Sequence, residues 1–583
     1  MPAADRRPEV GAFEVLAGAL KSVALEMSEV LHRSAYSPVI REMLDFSCAL
    51  LDARGRVVVQ ADDIPAQLGA MSHIVEHVER ANPRSTWRPG DAFLVNHPYR
   101  GGAHTPDIFV FAPIFVDGEL AAWGGTCAHH VDVGGRNPGT EGADNTSVFQ
   151  EGLLLPGVRA MREGRPVEEV WRVIEANVRE PATTLGDLRA QFAALQTGAR
   201  RLGELAARFG RERLLRGMRE LQDYSERLLR AELRALPDGV GEAEGFMDDD
   251  GAGGPPVRIH ARVEKRGDRL RVDLSGSDGQ RAGGMNVPIV STEATVYYAV
   301  RCAIGGDVPV NDGFFRPLEI VAPEGSCLNP RFPAAVSVRH LTCQRLADTL
   351  LQALGRLVPE RVAAGGFVGF FSIMAAGPSP RHGGTVVLQD ILGGGTGGRR
   401  GLDGLDAVDT YVSNCGLLSA EVCETLYPWR VERTELIPDS GGAGAFRGGL
   451  GLRRVYRALA DQQTVLYIDQ TNPAFAPHGL LGGLPGRPAA IRLREDGRVR
   501  RLPTKTTLLV RAGAEVIVET AGGGGWGPPE DRDPELLGRD LADGVVTRRG
   551  AAAYGGAAAT PGRTDGRAAR RRRARTRAPG RRA

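Results

Sequence analysis

The dipeptide Asp117-Gly118, set between the runs Ile108–Val116 and Glu119–Cys127, constrains this chain more than any other short feature. Asp-Gly favours the two-residue turn in which both central residues take positive φ, so the flanking runs are expected to pair as an antiparallel hairpin. Folding back there carries two polar segments to the open end. One is Asn96-His97-Pro98-Tyr99-Arg100-Gly101-Gly102-Ala103-His104-Thr105-Pro106-Asp107, and the other is His129-His130-Val131-Asp132-Val133-Gly134-Gly135. If Val116 faces Glu119, Asp107 lies opposite Ala128, and one extra loop residue would set it across from His129. Either register gathers His104, Asp107, His129, His130 and Asp132, with directly opposed residues about 5 Å apart. Imidazoles with carboxylates suit a divalent ion such as Mn, Zn or Fe that keeps positions open for substrate or water. The alternative is a polar hairpin end with hydrogen-bonded histidines.

Around this hairpin the chain reads as mixed α and β. Phe13, Leu16, Leu20, Val23, Met27, Val30 and Leu31 share one face of an N-terminal helix over about Val10–His32. Ser47–Leu51 and Val57–Gln60 form a second hairpin, and Asp91–Val95 forms a strand. A helical middle segment spans about Glu168–Leu236. From Val257 strands dominate, with one helix near Cys343–Leu357. The second half is β-rich and glycine-rich: of 77 glycines many cluster at Gly393–Gly398, Ser440–Gly444, Gly479–Gly486 and Gly522–Gly525, which predicts tight turns and close backbone approaches. Three regions follow: 1–240 with the metal-binding hairpin, 241–528 of the same module, and 529–583 as a disordered Arg-rich tail. Asp45, Asp62 and Asp63 are assigned to turn capping, and Arg447 to an anion contact or a salt bridge.

Charge narrows the partners. Residues 563–583 hold ten Arg and one Asp, +9; with +2 for the whole chain, the body before them is −7. A body of that sign is not a nucleic-acid binder, and the like-charged tail lacks any apolar period. No apolar run is long enough to span a bilayer, and no secretory leader follows Met1, so a cytoplasmic protein is expected. Seven dispersed cysteines without a CxxC pair point to reduced thiols.

Four segments carry a resemblance. Ser37-Pro38-Val39-Ile40-Arg41-Glu42-Met43-Leu44-Asp45-Phe46-Ser47-Cys48-Ala49-Leu50 resembles the opening motif of the hydantoinase B/oxoprolinase family. Gly101–Asp107 and His129–Gly135 are similar to its two central motifs, and Asp439–Gly444 with Arg447–Gly451 to its C-terminal glycine motif. The likeness runs from Phe13 to Pro528.

The family includes 5-oxoprolinases, hydantoinases and ATP-dependent ketone carboxylases. The resemblance implies a metal held by His104, Asp107 and His129, with His130 and Asp132 orienting ligands or moving protons. His97 stands where many relatives have Asp; the likeness there is to oxoprolinases, which favours ring opening. His97 would then act as a hydrogen-bonding neighbour of the site, with a fourth ligand or a general base as the alternatives. The chain lacks a GxxxxGK[ST] loop, so ATP would act through a partner, an A-type ATPase subunit. The implied function is a B-type catalytic subunit opening a cyclic amide. The alternatives are a ketone carboxylase subunit or a non-catalytic scaffold tethered by its Arg tail.

Overall fold

The computed structural model describes residues 10–61, 63–379 and 383–555. The first half is built on a seven-stranded sheet: β1 (Phe46–Asp52), β2 (Val57–Gln60), β3 (Ala92–Val95), β4 (Asp107–Val116), β5 (Glu119–His129), β6 (Pro156–Arg162) and β7 (Arg165–Pro166), ordered β2-β1-β5-β4-β3-β6-β7. Helices cover both faces, which is why β4 and β5 are apolar runs rather than alternating strands. Ile108, Val110, Ala122 and Ala128 pack on one face under the helices Val10–Ser34 and Pro181–Phe209. Phe109, Phe111, Trp123 and Cys127 pack on the other, against the Ile74–Ala81 helix and Val290.

The turn is as expected, with Asp117 at φ 53° and Gly118 at φ 80°. Val116 faces Glu119, yet Asp107 pairs with His129. The extra residue is not in the loop: Phe115 pairs with Leu120 and Ile114 with Ala122, so Ala121 forms a β-bulge.

In the second half, β8 (Gly239–Met247), β9 (Val257–Arg266), β10 (Arg269–Asp273) and β11 (Leu318–Val321) form one sheet. Its β9 buries alternate residues against the Arg339–Gly355 helix. A third sheet, ordered β13-β12-β16-β19, joins β12 (Phe371–Pro378), β13 (Thr385–Leu392), β16 (Gln462–Tyr467) and β19 (Lys505–Val510). A fourth holds β14 (Trp429–Leu436), β15 (Leu452–Ala458), β17 (Ala490–Glu495), β18 (Arg498–Arg501) and β20 (Glu515–Glu519). One apolar core unites these sheets with the Ile289–Ile304 and Arg339–Gly355 helices.

The glycine clusters serve close approach more than turning. Gly523 donates to the Gly449 carbonyl, Gly524 to Gly365 and Gly525 to Leu484, so extended segments from distant parts of the chain bundle side by side. A Cβ on Gly523 would lie 1.9 Å from the Thr396 carbonyl oxygen, and one on Gly448 1.9 Å from that of Gly523.

The expectation of disorder from residue 529 does not hold for residues 529–555. Asp533 caps a helix over Pro534–Asp543, and Val546, Ala551 and Tyr554 pack on Ala443. The buried Arg532 pairs with Asp403 and Asp540, supplying the partners that composition hid. Arg447 forms salt bridges to Asp406 and Asp540. The arginine block 563–583 and Asp62 lie outside the described residues. Among the described residues no helix is long and apolar enough to cross a membrane.

Candidate metal centre

β4 begins at Asp107 and β5 ends at His129, so the last ladder pair of the hairpin is the first pair of the site. Both share the sheet face of Phe109 and Cys127 by strand alternation. His104 sits in the loop before β4. Gly101, left-handed at φ 89°, turns that loop, and the Asn96 amide holds it by donating to the Thr105 carbonyl at 2.7 Å. Asp107 Oδ1 lies 3.2 Å from His104 Nε2 and 3.1 Å from His129 Nδ1, while its Oδ2 accepts from Arg339 Nη2 at 2.7 Å. The three expected ligands are therefore in mutual contact.

A fourth donor joins them. One ligand atom each from His104, His129 and Glu141 lie within 4.8 Å of one another. Glu141 Oε1 is 3.3 Å from His104 Nδ1, and the Tyr467 hydroxyl donates to its Oε2. Asp45 closes another side, 3.9 Å from His129 and held by the Gln67 amide at 2.8 Å, so it lines the cavity and is more than a turn cap. Asp63 accepts from the Cys48 backbone and the Ser28 hydroxyl, both distant in sequence, so these bonds tie segments together rather than cap a turn. The cavity among these residues measures about 40 Å³, and His340, Gln344 and Gln389 complete its wall.

Three expected catalytic residues are elsewhere. His130 follows His129 and turns the opposite way, its Nε2 3.0 Å from Gln191 of the Pro181–Phe209 helix. Asp132 accepts from the backbone of Gly134 and Gly139 and pairs with Arg179 at 2.8 Å. It thereby shapes the loop that delivers Glu141. His97 accepts from the Tyr99 backbone at 3.2 Å and packs beside Phe332, outside the cavity.

The charges sort by environment. Burial pushes His104 down to about 4, leaving a neutral imidazole. Burial opposes a charge on His129 too, but its hydrogen bond to Asp107 and the nearby Asp45 outweigh this and lift it to about 9. Of the two histidines flanking Asp107, only His129 takes the proton. Burial raises Asp45, and it pushes Glu141 up to about 7. Burial would raise Asp107 as well, yet His104, His129 and Arg339 hold it well below the usual range.

These residues fit a divalent cation. Asp45, Asp107 and Glu141 face one fixed counter-charge, Arg339, so the cavity holds an excess of buried negative charge. A cation relieves that excess, whereas without one His129 is driven to protonate. Gln67 Oε1, His340 Nε2, Gln389 Oε1 and both amide atoms of Gln344 are buried without a protein partner, as expected of a wall that meets an ion, water or substrate. Glu141, Arg339, His340 and the glutamines did not stand out in the sequence. A usable signal exists in Arg339-His340-Leu341-Thr342-Cys343-Gln344-Arg345, a helical segment buried throughout although five of its seven residues are polar.

The chain belongs to the hydantoinase B/oxoprolinase family, whose model matches residues 11–529. It is 34% identical over 554 residues to a protein of Pseudomonas sp. (strain NS671) named as the B component of a D-/L-hydantoinase, covering 92% of this chain and 93% of that one. The beta component of the caprolactamase of Pseudomonas jessenii is 32% identical, with 92% and 94% covered. A 5-oxoprolinase of Pestalotiopsis fici is 30% identical, but this chain, 91% covered, spans only 42% of it. In three dimensions the chain is similar to the ATP-dependent caprolactamase of Pseudomonas jessenii, with TM-score 0.88, 29% identity and 98% and 100% of the chains covered. An acetone carboxylase shares the fold at TM-score 0.86 and 21% identity, with 98% and 84% covered.

Proposed function

We infer that this chain is the metal-bearing B-type subunit of an ATP-dependent cyclic-amide hydrolase, working in the cytoplasm with an A-type ATPase subunit. The observation that carries the reading is the buried cluster where His104, Asp107, His129 and Glu141 converge. Two relatives carry names that make them one component of a larger enzyme, which supports a partner, and the seven unpaired cysteines suit a reducing compartment. The fold shared with an acetone carboxylase does not favour ketone chemistry here, because that likeness shows architecture alone.

His104, His129, Asp107 and Glu141 would hold Mn, Zn or Fe, which when bound supplies Lewis-acid polarisation or an acidified water. The chain's own residues do the rest. Arg339 fixes Asp107 and limits the repulsion among the carboxylates. Ser337, whose carbonyl lies 3.0 Å from His104 Nδ1, orients that imidazole. The side chains that line the cavity are buried, which strengthens the charge interactions among them.

The test is elemental analysis of the purified chain beside His104→Ala, Asp107→Ala, His129→Ala and Glu141→Ala at matched circular dichroism. The complex with its ATPase partner is then assayed for ATP hydrolysis stimulated by 5-oxoproline, hydantoin, caprolactam or acetone. The expected result is one metal per chain, lost in the variants, with stimulation by the ring amides. A metal-free wild type, or stimulation by acetone alone, would refute the reading.

A further inference from the structure

Gln344 stands one turn beyond His340 on the Arg339–Gly355 helix and is fully buried in the wall of the metal cavity. Three glutamines line that cavity, and two of them spend one amide atom on the site. Gln67 donates to Asp45, and the Gln389 carboxamide meets His129 Nε2 at 3.0 Å, so each keeps a single amide atom unpartnered. Among the described residues of this wall, Gln344 alone keeps both an amide oxygen and an amide nitrogen without a protein partner. Its backbone is fixed in mid-helix, and its neighbour His340 is stacked on Phe370 at 4.7 Å, so the carboxamide is presented on a rigid element.

A carboxamide offers a donor and an acceptor side by side. A small ring amide is held cis, so its N–H and C=O also point the same way, and two such edges join through two parallel hydrogen bonds. An open-chain secondary amide is trans, with N–H and C=O opposed. A ketone has no N–H and would leave Gln344 Oε1 buried and unpaired, which disfavours it. Resting on the reading above that a ring amide is opened here, we propose that Gln344 selects the substrate by its cis-amide edge. The ring N–H donates to Oε1, and Nε2 donates to the ring carbonyl oxygen. The 40 Å³ cavity takes the amide edge, and the ring body extends toward Ser413, whose side faces a second cavity of about 440 Å³.

The test is calorimetric titration of the full metal-loaded chain with 2-pyrrolidinone, N-methyl-2-pyrrolidinone and cyclopentanone, repeated on Gln344→Met, which keeps the shape and removes both hydrogen-bonding atoms. The wild type is expected to bind 2-pyrrolidinone about 10- to 100-fold tighter than the two probes lacking N–H. Gln344→Met is expected to level the three while holding the same metal content. Equal wild-type affinities, a preference surviving in the variant, or no binding with metal in place would each overturn the proposal and leave the metal centre standing. A metal-free wild type would instead overturn the metal reading, and the lactam preference in the same titration would still decide the role of Gln344. Should the variant misfold, the wild-type comparison of the three probes decides alone.

Discussion

Beyond the final ladder pair of β5 the side chains no longer follow the sheet, and neighbours in sequence part company. His129 enters the cavity, while His130 turns to Gln191 and Asp132 to Arg179. Asp132→Ala leaves Arg179 without its buried partner. Because the Arg179 side chain is 29% exposed, the loss is discounted to about 2–3 kcal/mol. Loosening of the loop that carries Glu141 is expected to weaken metal about 10-fold, with full loading at saturating metal. His129→Ala should fail to load at any concentration, and equal loading curves for the two variants would contradict this division. Glu151 gives a second test, through pH. Its Oε1 accepts from the backbone of Val336 and Ser337, and burial pushes its pKa from 4.5 up to about 8. Between those values the folded chain keeps a proton that the unfolded chain has released, so this group's contribution to stability falls as pH rises. Glu151→Gln keeps the acceptor and cannot ionise. Urea midpoints at pH 5.5 and 8 should therefore separate less in the variant than in the wild type, and identical separations would sink the assignment. That His104, Asp107 and His129 come together was legible because a turn type fixes spatial neighbours locally. Glu141 and Gln344 were not, because only tertiary packing brings their segments to the hairpin.

The hairpins, the N-terminal helix and the helical middle segment were legible because apolar spacing and turn chemistry are local properties. The helix near Cys343–Leu357 was found but begins at Arg339, since buried polar residues masked its first turn. The Ala121 bulge escaped because nothing in Glu119-Leu120-Ala121-Ala122 differs from regular strand, and the bulge alone sets Asp107 across from His129. The glycine clusters read as tight turns and close approaches; no glycine of Gly393–Gly398 or Gly522–Gly525 has positive φ, and these serve contact between segments rather than turning. That distinction is testable. Gly523→Ala sets a methyl against the Thr396 backbone and should cost about 3 kcal/mol or more. Gly538, inside the Pro534–Asp543 helix with nothing within 4 Å of a built Cβ, should gain about 0.5–1 kcal/mol as Ala. Thermal melts that rank the two variants the other way would refute the bundle's dependence on missing side chains.

At the scale of the whole molecule, the site draws on the first sheet, the Arg339–Gly355 helix and the third sheet, so its geometry depends on how the second half closes. Part of that closure comes from residues after the last glycine cluster. Arg532, its side chain only 1% exposed, pairs with Asp403 at 2.8 Å and Asp540 at 2.5 Å. Arg447, within the glycine-rich segments, shares Asp540 at 3.3 Å. Cutting the chain after Pro528 removes Arg532 and Asp540 together, strands Asp403 and uncovers Ala443 from Val546, Ala551 and Tyr554. Breaking such a network from one side typically costs about 3–5 kcal/mol, and the lost apolar cover adds to it. Cutting after Gly555 removes a stretch with no apolar period that holds ten Arg and one Asp, +9, and leaves the remaining chain at −7. The longer fragment, residues 1–555, is expected to melt with the full chain and hold the same metal content. The shorter one, 1–528, should melt well below it or fail to accumulate as soluble protein. Equal melting temperatures for the two fragments would show that the Pro534–Asp543 helix only decorates the fold. A drop in the longer one would assign a structural role to the arginine block.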